Sequence, residues 1–280
     1  MSAVVMLLVL LGAALHATWN AIIKSSSDKL LDAVLMSCGA ALIAVFSLPF
    51  LPLPAAASWL CLGTSAAIHL AYFKLLALAY RTGDLSFAYP IMRGSAPLLT
   101  AMVAAVVVGE PLSFGASLGI ALISSGILAL TADSWRSKQS NGTALGFGLL
   151  NAAVIVLYTI VDGTGVRLSG HPGSYILWLF LLIPLPLLTL VLLTQPRAFV
   201  GQLRTRWKPG LVGGACTTVS YGVALWAMTV APIALVAALR ETSVIFGTAF
   251  ASLFLNERFG WVRYAAACAV SLGAIAIKVF

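Results

Sequence analysis

Residues 85–130 read LSFAYPIMRGSAPLLTAMVAAVVVGEPLSFGASLGIALISSGILAL, and residues 233–277 read IALVAALRETSVIFGTAFASLFLNERFGWVRYAAACAVSLGAIAI. Laid over one another, three landmarks fall in register: Arg93 on Arg240, Glu110 on Glu257 and Gly126 on Gly273, each pair 147 residues apart. A constant offset across three unlike residue types marks a duplicated structural unit. Both arginines stand inside long apolar runs, where a charge costs about 2.5–3.5 kcal/mol on insertion scales. A duplication that keeps that cost twice over points to transport.

The rest of the chain fits the same medium. Hydrophobic residues make up 61% of the 280, charged residues only 9%, and the mean hydropathy is +1.05, so a water-facing surface cannot be built from this composition. The formal charge of +8 does not signal nucleic acid, because most basic residues lie between apolar runs, at the membrane surface. Cys38, Cys61, Cys216 and Cys268 fall in apolar segments without metal-like spacing and read as small core residues. No metal or cofactor is expected. Met1–Met6 lacks the basic start of a signal peptide, and the first apolar run is too long for one.

A span of the bilayer takes about 20 apolar residues, and ten can be placed, at roughly 2–23, 31–51, 57–80, 85–109, 113–132, 143–165, 173–195, 209–229, 232–255 and 260–279. Short connections carry the breakers Pro49, Pro52, Pro54, Gly83, Gly109, Pro111 and Pro232, and no stretch remains for a soluble domain. Trp59, Trp135, Trp207 and Trp261 fall near span ends, as interfacial anchors do. The longest polar stretch, 133–142, divides a first five-helix repeat, 1–135, from a second, 140–280. Five is odd, so the second repeat must lie upside down relative to the first. The predicted fold is an all-α membrane protein of ten transmembrane helices, two inverted five-helix repeats around a central cavity.

Charge sets the expected orientation. Lys24, Lys29, Arg81, Arg136, Lys138, Arg197, Arg204, Arg206, Lys208, Arg258 and Arg263 fall on one side, and only Arg167 and Lys278 on the other. The positive-inside rule puts the first group in the cytoplasm and both termini outside it, in a cytoplasmic (inner) membrane.

The two quoted stretches, together with LHATWNAIIK at residues 15–24, resemble the repeats of the drug/metabolite transporter superfamily, EamA-like branch. The likeness runs over nearly the whole chain and rests on the Glu closing the fourth helix and the Gly in the fifth, recurring in register. It implies a secondary transporter, commonly an exporter of amino acids or other small metabolites, with a cavity between the repeats. Members of the branch are usually drawn with cytoplasmic termini, and the charge count of this chain gives the opposite.

Within the spans, Arg93 lies between Pro90 and Pro97, which are expected to loosen the fourth helix and free carbonyls near the cavity. Tyr89 shares its face one turn earlier. Arg240 precedes Glu241, but helical neighbours point about 100° apart, so Glu241 is expected to face Lys74 or His16 and is a candidate for coupling or gating. Lys74 falls opposite Tyr221 in the repeat. Three basic residues against one clear acid favour a negatively charged solute. His16, Trp19 and Asn20 share one face of the first span, and Tyr158 with Asp162 echoes them in the sixth. The expected substrate site is therefore Arg93, Arg240, Tyr89, Trp19, Asn20, Lys74, Tyr158 and Tyr221, with Glu241 and His16 for coupling or gating. Asp162 reads as a helix-end residue in water. Glu110 and Glu257 are expected to bond the starts of the fifth and tenth helices, and Gly115 with Gly119 forms a close-packing face, within the fold or in a homodimer.

These features favour export of a small carboxylate-bearing solute by alternating access, with protons as the candidate coupling ion. A membrane enzyme would need chemistry that the sequence lacks: no HExxH, GxSxG or Gly-rich phosphate loop is present. The remaining alternatives are a translocase of lipid-linked substrates and a scaffold or sensor without flux.

Overall fold

The computed structural model describes residues 1–82, 85–131, 142–255 and 260–279, and these are helical, with no strand among them. Helix α1, Ala3–Lys24, starts where the Ser2 hydroxyl accepts from Val5 N; α2, Lys29–Ser47, starts where Asp28 accepts from Leu31 N. These side chains satisfy amides that have no partner at a helix start. After a Pro-rich turn come α3 (Trp59–Thr82) and α4 (Leu85–Val103), the latter running into a π-helical turn, Ala104–Val108. Gly109, at φ +74°, ends it in a left-handed conformation that suits glycine. Helix α5 is Phe114–Ala129, only 16 residues, and α6 is Gly142–Leu168. Then follow α7 (Pro172–Leu182), α8 (Pro184–Thr194), α9 (Pro196–Met228), α10 (Ile233–Arg240), α11 (Ser243–Leu255) and α12 (Trp261–Val279).

Among the described residues, eight helical stretches are long and apolar enough to cross a membrane, with α5 shorter. Three expected spans differ in form. The seventh is divided at Ile183, just before Pro184, which cannot donate, and α8 begins there. The eighth begins at Pro196, not near residue 209, so Arg197, Arg204, Arg206 and Lys208 ride on α9 and not in a loop. Its backbone leaves helical values at Arg206 (φ −123°, ψ 18°), just before Pro209. Asp32 of α2 pins that kink: Arg206 Nε lies 2.7 Å from Oδ2, and Gln202 Nε2 donates to Oδ1 at 2.5 Å.

The third difference concerns the site. Pro90 and Pro97 do not break α4, which stays helical between α5 and α6. The ninth span breaks instead, after Arg240. There Glu241 N and Thr242 N turn to Ala238 O and Leu239 O, and the Thr242 hydroxyl also donates to Leu239 O at 2.7 Å. Arg240 thus ends one half-helix, whose dipole favours a cation, and Glu241 precedes the start of the next, which favours an anion.

Helix packing has an exchange pattern. Helix α1 packs on α9 as α6 packs on α3, and α6 packs on α4 as α1 packs on α10 and α11. Helices α5 and α12 run along each other. At their crossing a Cβ on Gly119 would stand 2.7 Å from the Gly273 carbonyl oxygen, and one on Gly126 would stand 2.9 Å from that of Ala266. Ala266 follows Gly119 by the same 147 residues that separate Gly273 from Gly126, so either contact becomes the other when the halves are exchanged. Small residues let the two backbones touch. The core lies where α3, α6, α7, α9 and α10 meet, filled by Leu62, Tyr175, Leu179, Leu225, Met228, Ile233 and Leu239.

Candidate functional site

A cavity of about 200 Å³ runs into the bundle from the α1–α2 turn. Exposed Lys29 and Leu30 stand at its mouth, and Arg93, Tyr158, Tyr221 and Arg240 lie at depth. His16, Trp19, Asn20, Tyr89, Arg93, Tyr158, Tyr221 and Arg240 all line it, so helices far apart in sequence bring these expected site residues together. Lys74 does not join them. It is exposed on α3 and outside the wall, where a long side chain can carry its ammonium to the membrane surface.

The two arginines are held differently. Arg93 Nε sits 2.8 Å from Glu241 Oε2, both side chains buried, and Arg93 Nη2 donates to His16 Nε2 at 3.3 Å. A guanidinium has no lone pair, so Nε2 is the acceptor and the His16 proton sits on Nδ1. The charge contact is close but poorly aimed, because neither Arg93 Nε nor Glu241 Oε2 completes a hydrogen bond in the protein. Glu241 thus faces Arg93, not Lys74 or His16, because the turn after Arg240 swings it toward α4.

Arg240, buried at 8% exposure, has no ion pair among the described residues, and its Nε has no hydrogen-bond acceptor. Its guanidinium lies over the Tyr221 ring at 4.7 Å. A cation–π contact of this kind offsets part of the charge and fills no hydrogen-bonding direction. The cavity therefore presents a cation with donors to spare.

Around it stands an aromatic wall. Tyr158 lies 4.5 Å from His69, 6.0 Å from Tyr72 and 6.3 Å from Tyr221, centroid to centroid, and Phe180 meets Tyr221 at 6.2 Å. Behind it Asp162 is fully buried, which corrects its reading as a water-exposed helix end: α6 continues to Leu168. The signal was present, since Asn151, Ile155, Tyr158, Asp162 and Val166 recur at helical spacing and all are buried.

The end of the bundle away from the mouth is closed by a second polar cluster. Arg167 Nη2 pairs with Glu110 Oε1 at 2.6 Å; Arg167 Nε and Nη2 also donate to Met228 O and Ala231 O at 2.7 and 3.0 Å. Glu110 Oε2 accepts from Ile233 N at 2.9 Å. Glu110 therefore caps α10, not α5 as expected, because the π turn carries it toward the α9–α10 connection. Glu257, expected as its counterpart 147 positions on, lies outside the described residues, as do Trp135 and the 133–141 part of the polar stretch. In the sequence Arg167 counts only toward the loop charges, because nothing there ties it to a carboxylate 57 positions earlier. All four cysteines are free, three half-buried and Cys268 exposed, so they are less deeply packed than core residues.

Residues 142–279 match the family model of the EamA-like transporter family. No curated protein matches the chain. Among solved structures, one titled only as the crystal structure of a protein is 15% identical and superposes with a TM-score of 0.72, covering 99% of this chain and 96% of the other. At that identity the likeness is one of fold.

Proposed function

Through residues 142–279 this multi-pass membrane protein belongs to the EamA-like transporter family, and on that premise we propose that it carries a small carboxylate-bearing solute by alternating access, Arg240 holding the anionic group. The observation that carries the reading is the contrast between the arginines: Glu241 compensates Arg93, whereas Arg240 is buried on the cavity wall with an unfilled donor. A guanidinium in that position offers a carboxylate two parallel N–H donors. Arg93, Tyr89, His16, Trp19, Asn20, Tyr158 and Tyr221 shape the remainder of the site.

The scaffold in this reading is two inverted repeats, 1–135 and 140–280, ten spans in all, with α10 and α11 together forming the ninth. Support comes from the exchange-related helix pairings and the doubled Gly119–Gly273 contact. A half-helix break beside the solute, near mid-membrane, is common in carriers of this construction. The cavity opens on the side rich in Lys and Arg, which the charge rule makes cytoplasmic; that is the state in which an exporter of the inner membrane loads. The Glu110–Arg167 cluster closes the other side.

A thermal-shift screen of amino acids, organic acids and phosphorylated metabolites against purified protein tests the site, since a ligand of the folded state raises apparent stability by mass action. Carboxylates are expected to stabilise the protein, and Arg240→Ala to weaken them by roughly 10- to 100-fold, the worth of a charge-assisted hydrogen bond. Equal affinity in Arg240→Ala would overturn the assignment.

A further inference from the structure

The cavity wall holds no Asp or Glu among the described residues. Glu241 is committed to Arg93, and Asp162 stands behind the aromatic wall. A zwitterionic amino acid entering this cavity would bury its ammonium without a counter-charge, which is expensive. An organic monoanion would not.

Among the described residues Asp162 has no ion pair. Tyr175 Oη donates to its Oδ1 at 3.1 Å and Tyr221 Oη to its Oδ2 at 2.7 Å. The groups that face it are His69, Cys61 and the Ser65 hydroxyl from α3, Tyr175 from α7, and Tyr221 from α9. His69 Nδ1 donates within α3 to Ser65 O at 2.9 Å, which leaves a neutral imidazole no second proton to give Asp162. Arg240 lies beyond the Tyr221 ring, Arg93 on α4 is occupied by Glu241, and Arg167 on α6 is occupied by Glu110. No ion pair to Asp162 exists among the described residues. An ionised carboxylate kept in the membrane on hydroxyl donors alone is costly, and binding a proton removes the cost.

The charges then balance in one way. Arg93 and Arg240 against Glu241 and an ionised Asp162 sum to zero; with Asp162 protonated the site carries one positive charge, which a bound monoanion neutralises. Resting on the Arg240 reading, we infer that Asp162 is a proton-binding site and that proton and organic monoanion occupy the carrier together, one of each per cycle, with no net charge moved. Tyr221 lines the cavity and touches Asp162, so it supplies the path: its hydroxyl oxygen takes a proton from hydronium in the cavity, leaving water, as its own proton passes to Asp162 Oδ2. Tyrosine stays neutral and the carboxylate becomes the acid.

The test uses the full-length protein with pyruvate and benzoate as monoanions, leucine and phenylalanine as zwitterions, between about pH 6 and pH 8, where both acids stay ionised. In wild type the monoanions stabilise and the zwitterions do not, and affinity falls on the order of tenfold per pH unit above the protonation of the site. Asp162→Asn, a mimic of the protonated acid, binds the monoanions equally well across that range. In proteoliposomes, wild type accumulates a monoanion against its gradient when a pH gradient is imposed, and clamping the membrane potential has no effect; Asp162→Asn keeps exchange and loses accumulation. Should that variant fail to fold, Tyr221→Phe, which removes the relay hydroxyl and keeps the ring under Arg240, is expected to slow pH-driven accumulation at least tenfold, and by more than it weakens binding at low pH. Monoanion affinity flat with pH in wild type, potential-driven flux, preference for the zwitterions, or undiminished accumulation in both variants overturns this inference and leaves the Arg240 site standing. Failure of every carboxylate to bind overturns both.

Discussion

Arg93 and Arg240 stand in register at the 147-residue offset, yet one is neutralised and the other lines the cavity with an unfilled donor. The distinction has an energetic signature. Glu241→Gln leaves the Arg93 guanidinium buried without its counter-ion and is expected to cost about 3–5 kcal/mol of stability, the range for stripping one partner from a buried pair. Adding Arg93→Met to Glu241→Gln should recover much of the loss, and urea or thermal unfolding of the four proteins in detergent gives the coupling energy. Both arginines were legible in the sequence as charges inside apolar runs. Their partners were not, because pairing across helices depends on which way the chain turns after Arg240. Asp162 was within reach of pattern reading, since its buried face repeats from Asn151 to Val166, but an underestimated end for α6 put it in water.

Among the elements, the ten expected spans correspond to helical stretches wherever the structure describes them, and interior detail is where expectation and structure part. Proline suggested a loosened fourth helix; the break came in the ninth, at Glu-Thr-Ser, which contains neither Gly nor Pro. A helix can continue through proline when neighbours pack around it, and it can stop without proline when opposed charges settle on the two new ends. The α5–α12 crossing offers a direct check. Gly119→Ala drives a methyl against the Gly273 carbonyl and is expected to destabilise by about 1–3 kcal/mol. Gly63→Ala, where nothing lies within 4 Å, is expected to be neutral or stabilising by up to about 1 kcal/mol through helix propensity. Melting temperatures of the two purified variants decide it.

For the whole molecule, one end of the bundle is open at Lys29 and Leu30 while the other is tied by Arg167, Glu110, Met228, Ala231 and Ile233. That tie joins the ends of α4, α6 and α9 to the start of α10, so under the alternating-access proposal it has to break before the far side opens. Glu110→Gln with Arg167→Met removes it without adding bulk. A cysteine placed at Ser37 on the cavity wall, in a variant whose four native cysteines are serine, is expected to react with an impermeant thiol reagent from the mouth side in the parent. In the double variant, reaction from the opposite side should rise several-fold, and no rise would remove the gate role. Sequence reading could propose a duplication, because fixed spacing survives in a single chain, but not this tie, which unites residues more than 120 positions apart.

Helix α5 has a consequence for the surrounding lipid. Its 16 residues reach only about 24 Å, short of the ~30 Å depth of a typical hydrocarbon layer. With α12 locked to it through touching backbones, that flank cannot lengthen by sliding. A bilayer that thins to match it makes acyl-chain length a handle on the energy of the assembly, applied at a flank that contributes no residue to the cavity wall.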